Sequence, residues 1–141
     1  MRRIIISRGE RETKKLGEKL AKKIVEKRSL KKAQVLGLVG DLGGGKTTFL
    51  QGFAKGLGIK QKITSPTFVI IKRFGSFYHI DCYRIQKPKE LLDLGFKKVI
   101  SDPKNIVAVE WADRIRKIMP KSALWLEFEF IGEKTRKIVL K

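Results

Sequence analysis

The sequence predicts an α/β fold: three layers built on a largely parallel central sheet, with antiparallel strands at the C-terminal end. Short apolar runs of strand length alternate with helical patterns through the middle of the chain, the pattern that places helices between the strands of a sheet. Val35 to Val39 is continuously apolar, as in a strand covered on both faces, and a glycine-rich turn and a helical pattern follow it directly. Towards the end, Ala123 to Ile131 and Thr135 to Leu140 read as strands about a turn at Gly132.

The elements can be taken in order. Arg2 to Ser7, containing Ile4, Ile5 and Ile6, is a short strand. Glu10 to Arg28 reads as a helix on which Leu16, Leu20 and Ile24 share a face, flanked by Thr13, Gly17 and Ala21. Arg11, Lys15, Lys19 and Lys23 run along another face at i, i+4 spacing. Each like-charged pair there costs about 0.2–0.5 kcal/mol, so the stripe is either solvated or set against an acidic or phosphate-bearing neighbour. The helix after the glycine-rich turn carries Phe49, Leu50, Phe53 and Leu57. Thr67 to Phe74 and Ser76 to Tyr83 are β-rich, with Gly75 as the turn between them. Pro88 to Phe96 reads as a helix with proline near its start. Ile106 to Val109 is a second strand of the buried kind and ends at Glu110-Trp111. Ala112 to Met119 is a short helix closed by Pro120.

Composition bounds what such a fold is for. A chain of 141 residues can bury roughly two-thirds of its unfolded surface and build one core without metal or disulfide staples, so residues 1–141 are read as a single domain. The lone cysteine, Cys82, excludes a disulfide framework or a cysteine-rich zinc site and fits a reducing cytoplasm. No run approaches the ~18 apolar residues of a membrane span, and the N-terminus turns charged too soon for a signal peptide. Thirty-three basic side chains against 14 acidic ones give a net charge of +19. Such a field attracts polyanions, although a general lysine bias accounts for it equally well.

Chemistry is concentrated at Gly40-x-x-x-x-Gly45-Lys46-Thr47, the phosphate-binding loop pattern. Gly43, Gly44 and Gly45 let the backbone curl so that successive N–H groups point at phosphate oxygens, and the helix behind adds its positive end. In such a loop Lys46 bridges the β- and γ-phosphates and the Thr47 hydroxyl ligates Mg²⁺. The metal also needs a carboxylate at the end of a neighbouring strand. Glu110 is the better candidate, because a continuous apolar run delivers it to the carboxyl edge of the sheet, where ligands bind in open α/β folds. Asp81, in His79-Ile80-Asp81-Cys82-Tyr83-Arg84, is the second, through a shared water or by orienting the attacking one. Ser65 and Thr67 lie on the loop after the P-loop helix, where a hydroxyl either senses the γ-phosphate or simply forms a turn beside Pro66. His79 reads as a packed strand residue, and Trp111 as either core or a stacking platform. The Asn/Thr-Lys-x-Asp segment that reads guanine is absent, so ATP is the expected nucleotide.

Together, GDLGGGKTTF, SPTFVI, HIDCYR and VEWADR, in this order and spacing, closely resemble the bacterial TsaE family of small P-loop ATPases that support threonylcarbamoyl-adenosine modification of tRNA. The helix segment Thr13-x-x-x-Gly17 is similar too. The resemblance spans nearly the whole chain and implies a P-loop NTPase fold and a Mg²⁺-dependent ATPase, weak alone and stimulated by partners. Those partners would be the TsaB and TsaD homologues, whose complex the nucleotide cycle resets. It implies phosphate contacts from Gly43, Gly44, Gly45, Lys46, Thr47 and Thr48, and Mg²⁺ ligation by Thr47 and Glu110. Turnover would fall to Asp81, a switch-like loop would carry Ser65 and Thr67, and the adenine side would be met near Glu10. Transfer-RNA would be met indirectly or through the basic surface. A basic tRNA-binding module, or a nucleotide-gated scaffold without productive turnover, is the alternative.

Overall fold

The computed structural model describes residues 2–27, 31–40, 45–63 and 70–141. Its strands are β1 (Arg3–Ser7), β2 (Gln34–Gly40), β3 (Ile71–Phe74), β4 (Phe77–Asp81), β5 (Ile106–Glu110), β6 (Leu124–Phe130) and β7 (Arg136–Leu140). The helices are α1 (Glu10–Glu26), α2 (Lys46–Gly56), α3 (Pro88–Leu92) and α4 (Phe96–Ser101), with a 3₁₀ helix over Ala112–Ile118. The strands form one sheet in the order β1-β7-β6-β2-β5-β4-β3. Its centre is parallel, β2 and β4 both running alongside β5. The edges are antiparallel: β1 and β6 against β7, and β3 against β4. The α/β expectation with antiparallel C-terminal strands therefore holds, and the hairpin about Gly75 adds an antiparallel pair at the opposite edge.

The residues fall into two compact units, each assembled from separated stretches of chain. Met1–Arg28, Gly40–Ser65 and Leu126–Lys141 make one; Ser29–Val39 and Pro66–Trp125 make the other.

In the first unit α1 packs on α2. The seam differs from the expected Leu16–Leu20–Ile24 face. Thr13, Gly17, Ala21 and Ile24 are buried, whereas Leu16 and Leu20 are half-covered. Small residues win because they let two backbones meet. A Cβ added at Gly17 would lie 2.2 Å from the Phe49 carbonyl oxygen, and one at Gly52 only 2.0 Å from that of Lys14. The large side chains of this unit come from α2 instead. Phe49 and Phe53 stack at 6.2 Å between ring centroids, and Phe49 meets Phe128 of β6 edge-on at 5.5 Å. Arg11, Lys15, Lys19 and Lys23 are all exposed.

The second unit shows why continuous apolar runs mark central parallel strands. Every residue of β5 is buried, as are Val35, Leu36, Gly37 and Leu38 of β2. One helical expectation needs correction. Pro88 to Phe96 is not one helix: α3 stops after Leu92, and Gly95, at φ 92°, takes the left-handed turn that starts α4. The short helix expected from Ala112 is present and is wound as 3₁₀, with a break at Ile115 (φ −121°, ψ 25°).

Cys82 is fully buried beside Ile80, Ile85 and Val109. Burial, assisted by the neighbouring Asp81 charge, pushes its thiol up from 9.0 to about 12. Because the folded value is raised, the stability this thiol contributes is intact below about pH 9 and drains away as pH climbs towards 12. At pH 8 a disulfide reagent is expected to leave the native protein unmodified and to label it stoichiometrically in denaturant. Rapid native labelling would contradict the burial.

Candidate functional site

The phosphate-loop motif lies in the first unit, and two of its glycines are there for different reasons. Gly40 adopts φ 137°, and a Cβ on it would lie 2.2 Å from the Phe128 carbonyl oxygen, so both conformation and space demand glycine. Gly45 takes φ 98°, the left-handed turn from which α2 starts. Lys46 opens the helix and is buried, 6% exposed. Its ammonium donates to the Gly40 carbonyl oxygen at 2.5 Å, tying together the two ends of the loop. A buried ammonium is tolerable only among carbonyl or anionic oxygens, and the strand's last residue supplies one. Thr47 and Thr48 follow, half-buried in the first turn. Among the described residues no acidic side chain stands in that turn and none caps the helix start. Gly43 and Gly44 lie outside the described residues, as do Ser65 and Thr67.

The start of α1 flanks this loop. Glu10 is exposed on its first turn. One turn on, the buried Thr13 hydroxyl lies 2.6 Å from that of Ser7, and the two share the Gly9 carbonyl at 3.2 and 3.0 Å. Beside Gly45, a Cβ would find Thr13 Cγ2 at 3.7 Å and Arg136 Cγ at 3.6 Å. Arg136 is held by the carbonyls of Gly132 (2.8 Å) and Thr135 (3.1 Å) and lies over the Phe130 ring. Sequence reasoning did not single out Arg136: it sits in the basic run Lys134-Thr135-Arg136-Lys137, and only the pairing of β7 carries it to the loop.

The second unit supplies carboxylates. In the parallel register of β4 on β5, Asp81 stands opposite Glu110 at the carboxyl ends of both strands. Across β2 and β5, Leu38 stands opposite Glu110, two residues before Gly40 opens the loop. Glu110 is 4% exposed, and its Oε2 lies 2.7 Å from His79 Nε2. The ring nitrogen and the carboxylate oxygen share one hydrogen bond, and His79 Nδ1 has no partner among the described residues. The histidine is thus a packed strand residue, as expected, and also the group that holds Glu110.

Asp81 accepts the Tyr83 backbone N–H at 2.9 Å, a turn that ends β4. Trp111 follows Glu110 in the left-handed region (φ 56°), unusual for so large a residue. It packs partly against the core and meets Tyr83 at 5.1 Å, while the Arg114 guanidinium lies 5.4 Å over its ring.

Each unit carries oxygen donors of the kind a hard cation takes: the Asp81 and Glu110 carboxylates in the second, the Thr47 hydroxyl in the first. Among the described residues no three His, Cys, Asp or Glu side chains gather into a group that would hold a metal. Mg²⁺ does not require such a cage, since it keeps several waters and takes one or two carboxylates with substrate phosphates. Among the described residues, no helix is long and apolar enough to cross a membrane.

Comparison with known proteins gives one consistent result. The family model described as "Threonylcarbamoyl adenosine biosynthesis protein TsaE" matches residues 7–138. The tRNA threonylcarbamoyladenosine biosynthesis protein TsaE of Bacillus subtilis (strain 168) is 41% identical over 112 residues, 77% of this chain and 69% of the relative. Its counterpart from Aquifex aeolicus (strain VF5) is 34% identical over 140 residues, 95% of this chain and 92% of the relative. Among solved structures, Bacillus subtilis YdiB superposes with a TM-score of 0.79 at 31% identity, covering 99% of this chain and 84% of that one.

Proposed function

Since the chain belongs to the TsaE family, we propose that it is the Mg²⁺-dependent ATPase subunit of tRNA threonylcarbamoyl-adenosine biosynthesis in the cytoplasm, weak alone and stimulated by the TsaB and TsaD homologues whose complex it resets. The observation that carries the ATP part is the buried Lys46 ammonium at the head of α2, anchored on Gly40 and flanked by Gly45 in its left-handed turn. A cation and a helix start, delivered by the same turn, make a grip for phosphate.

In this reading the backbone N–H groups from Gly43 to Thr48 donate to the phosphate oxygens, and Lys46 donates to those of the β- and γ-phosphates. The Thr47 hydroxyl and the Glu110 carboxylate would hold Mg²⁺, which when bound neutralises charge on the phosphates. His79 fixes the Glu110 carboxylate through Nε2. Asp81 accepts a hydrogen bond from the attacking water and so aligns it. Glu10, at the start of α1, faces the adenine side, and Ser65 and Thr67 respond to the γ-phosphate.

The test couples Glu110→Gln with phosphate-release assays in the presence and absence of both partner homologues. Glutamine preserves the bond to His79 but removes the charge. Turnover of the assembled complex is expected to fall about a hundredfold, with Mg²⁺-free ATP binding retained within about threefold. An unaltered rate in the variant would remove Glu110 from the mechanism. No acceleration of the wild type by the partners would favour the nucleotide-gated scaffold instead.

A further inference from the structure

We propose that a second anion site, a lysine-lined cleft at the far end of α2, binds a phosphodiester strand of RNA; this rests on the tRNA reading above and gives it a surface. The cleft, about 670 Å³, is lined by Lys14 of α1, Gln51 and Lys55 of α2, and the segment from Ile59 to Ile63 that contains Lys60 and Lys62. All four lysines are exposed, and none makes an ion pair among the described residues. Among the described residues no carboxylate lines the cleft. Four cations converging on one concavity repel one another, and an anion is what makes that arrangement favourable.

The lysines are not occupied in capping α2. The helix end is closed by its own backbone: Leu57 N–H donates to Phe53, Gly58 N–H to Lys55 and Ile59 N–H to Ala54, with Gly58 at φ 82°. The walls are fixed as well. Gln51 Nε2 donates to the Ile63 carbonyl at 3.3 Å, Ile63 is buried, and the backbone at Lys14 is pressed onto Gly52. The cleft is therefore a formed feature whose flexible parts are the ammonium arms.

Its chemistry favours RNA over an acidic polypeptide. Lysines meet phosphates as point charges, and the Gln51 and Gln61 amides both donate and accept, as ribose 2′-hydroxyls and base edges require. The described lining is led by ammonium groups rather than by rings, so binding led by phosphates is expected, tolerant of sequence and steeply dependent on salt.

The experiment is fluorescence anisotropy with a fluorescein-labelled, unmodified tRNA transcript, titrated at several salt concentrations. Two triple variants carry the same change in net charge: K55Q/K60Q/K62Q in the cleft, and K15Q/K19Q/K23Q on the exposed stripe of α1. The cleft variant is expected to bind about tenfold or more weakly at 0.1 M salt, with the slope of log K against log salt reduced by about 2. The stripe variant should stay within about threefold of the wild type. Equal losses in both would overturn the proposal, since bulk charge would then suffice. Polyglutamate displacing the transcript from wild type but not from the stripe variant would also overturn it, as would a higher affinity for polyglutamate than for RNA. ATP binding by the cleft variant is measured alongside. If it is normal while RNA binding does not depend on the cleft, this inference fails and the ATPase reading stands.

Discussion

Lys46→Ala is expected to weaken ATP binding by about a hundredfold or more while leaving a folded protein. Charge-assisted hydrogen bonds contribute about 1.5–3 kcal/mol each, and the ammonium would supply them to two phosphates, so a loss of about 3 kcal/mol, more than two powers of ten, is the minimum. The substitution also releases the Gly40 carbonyl from its 2.5 Å bond to Nζ and unties the ends of the loop. That second effect is smaller, about 1 kcal/mol of stability, and circular dichroism should show an intact α/β spectrum. Titration calorimetry with ATP measures the first. Lys46→Arg should rescue poorly, because the guanidinium is larger than the ammonium in a position only 6% exposed. Wild-type affinity in Lys46→Ala would mean that the loop is not the nucleotide site.

The second large effect concerns the fold. Gly52→Ala gains about 0.5–1 kcal/mol of helix propensity, but its methyl group must occupy space 2.0 Å from the Lys14 carbonyl oxygen and 2.6 Å from its carbon. Both obstacles are backbone and cannot rotate aside. The clash wins, and a net loss of about 3 kcal/mol is expected, at the upper end of overpacking penalties. Gly58→Ala is the contrast: nothing lies within 4 Å, but φ is 82°, so only conformational strain of about 1 kcal/mol applies. Urea unfolding of both variants separates steric from conformational glycines on one short stretch of chain. A Gly52→Ala midpoint within 0.5 M of wild type, at unchanged slope, would refute the close helix contact.

What could be read from the sequence is what depends on neighbours along the chain. Lys46 at the head of a helix behind Gly45, and Glu110 at the end of a buried run, are local patterns, and each stands where its pattern placed it. Residues that matter through pairing were not visible. Nothing in the sequence specifies that Asp81 and Glu110 share a register position, or that β7 brings Arg136 beside Gly45. His79 was legible as buried but not as the partner of Glu110, because the contact joins residues 31 apart. The α1 seam was misjudged because size alone ranks leucine as core. A helix that must approach another at backbone distance buries its glycines instead.

The inertness of Cys82 has a practical side. With the sole native thiol sealed in the interior, a cysteine engineered anywhere on the surface becomes a unique attachment point for a dye or spin label.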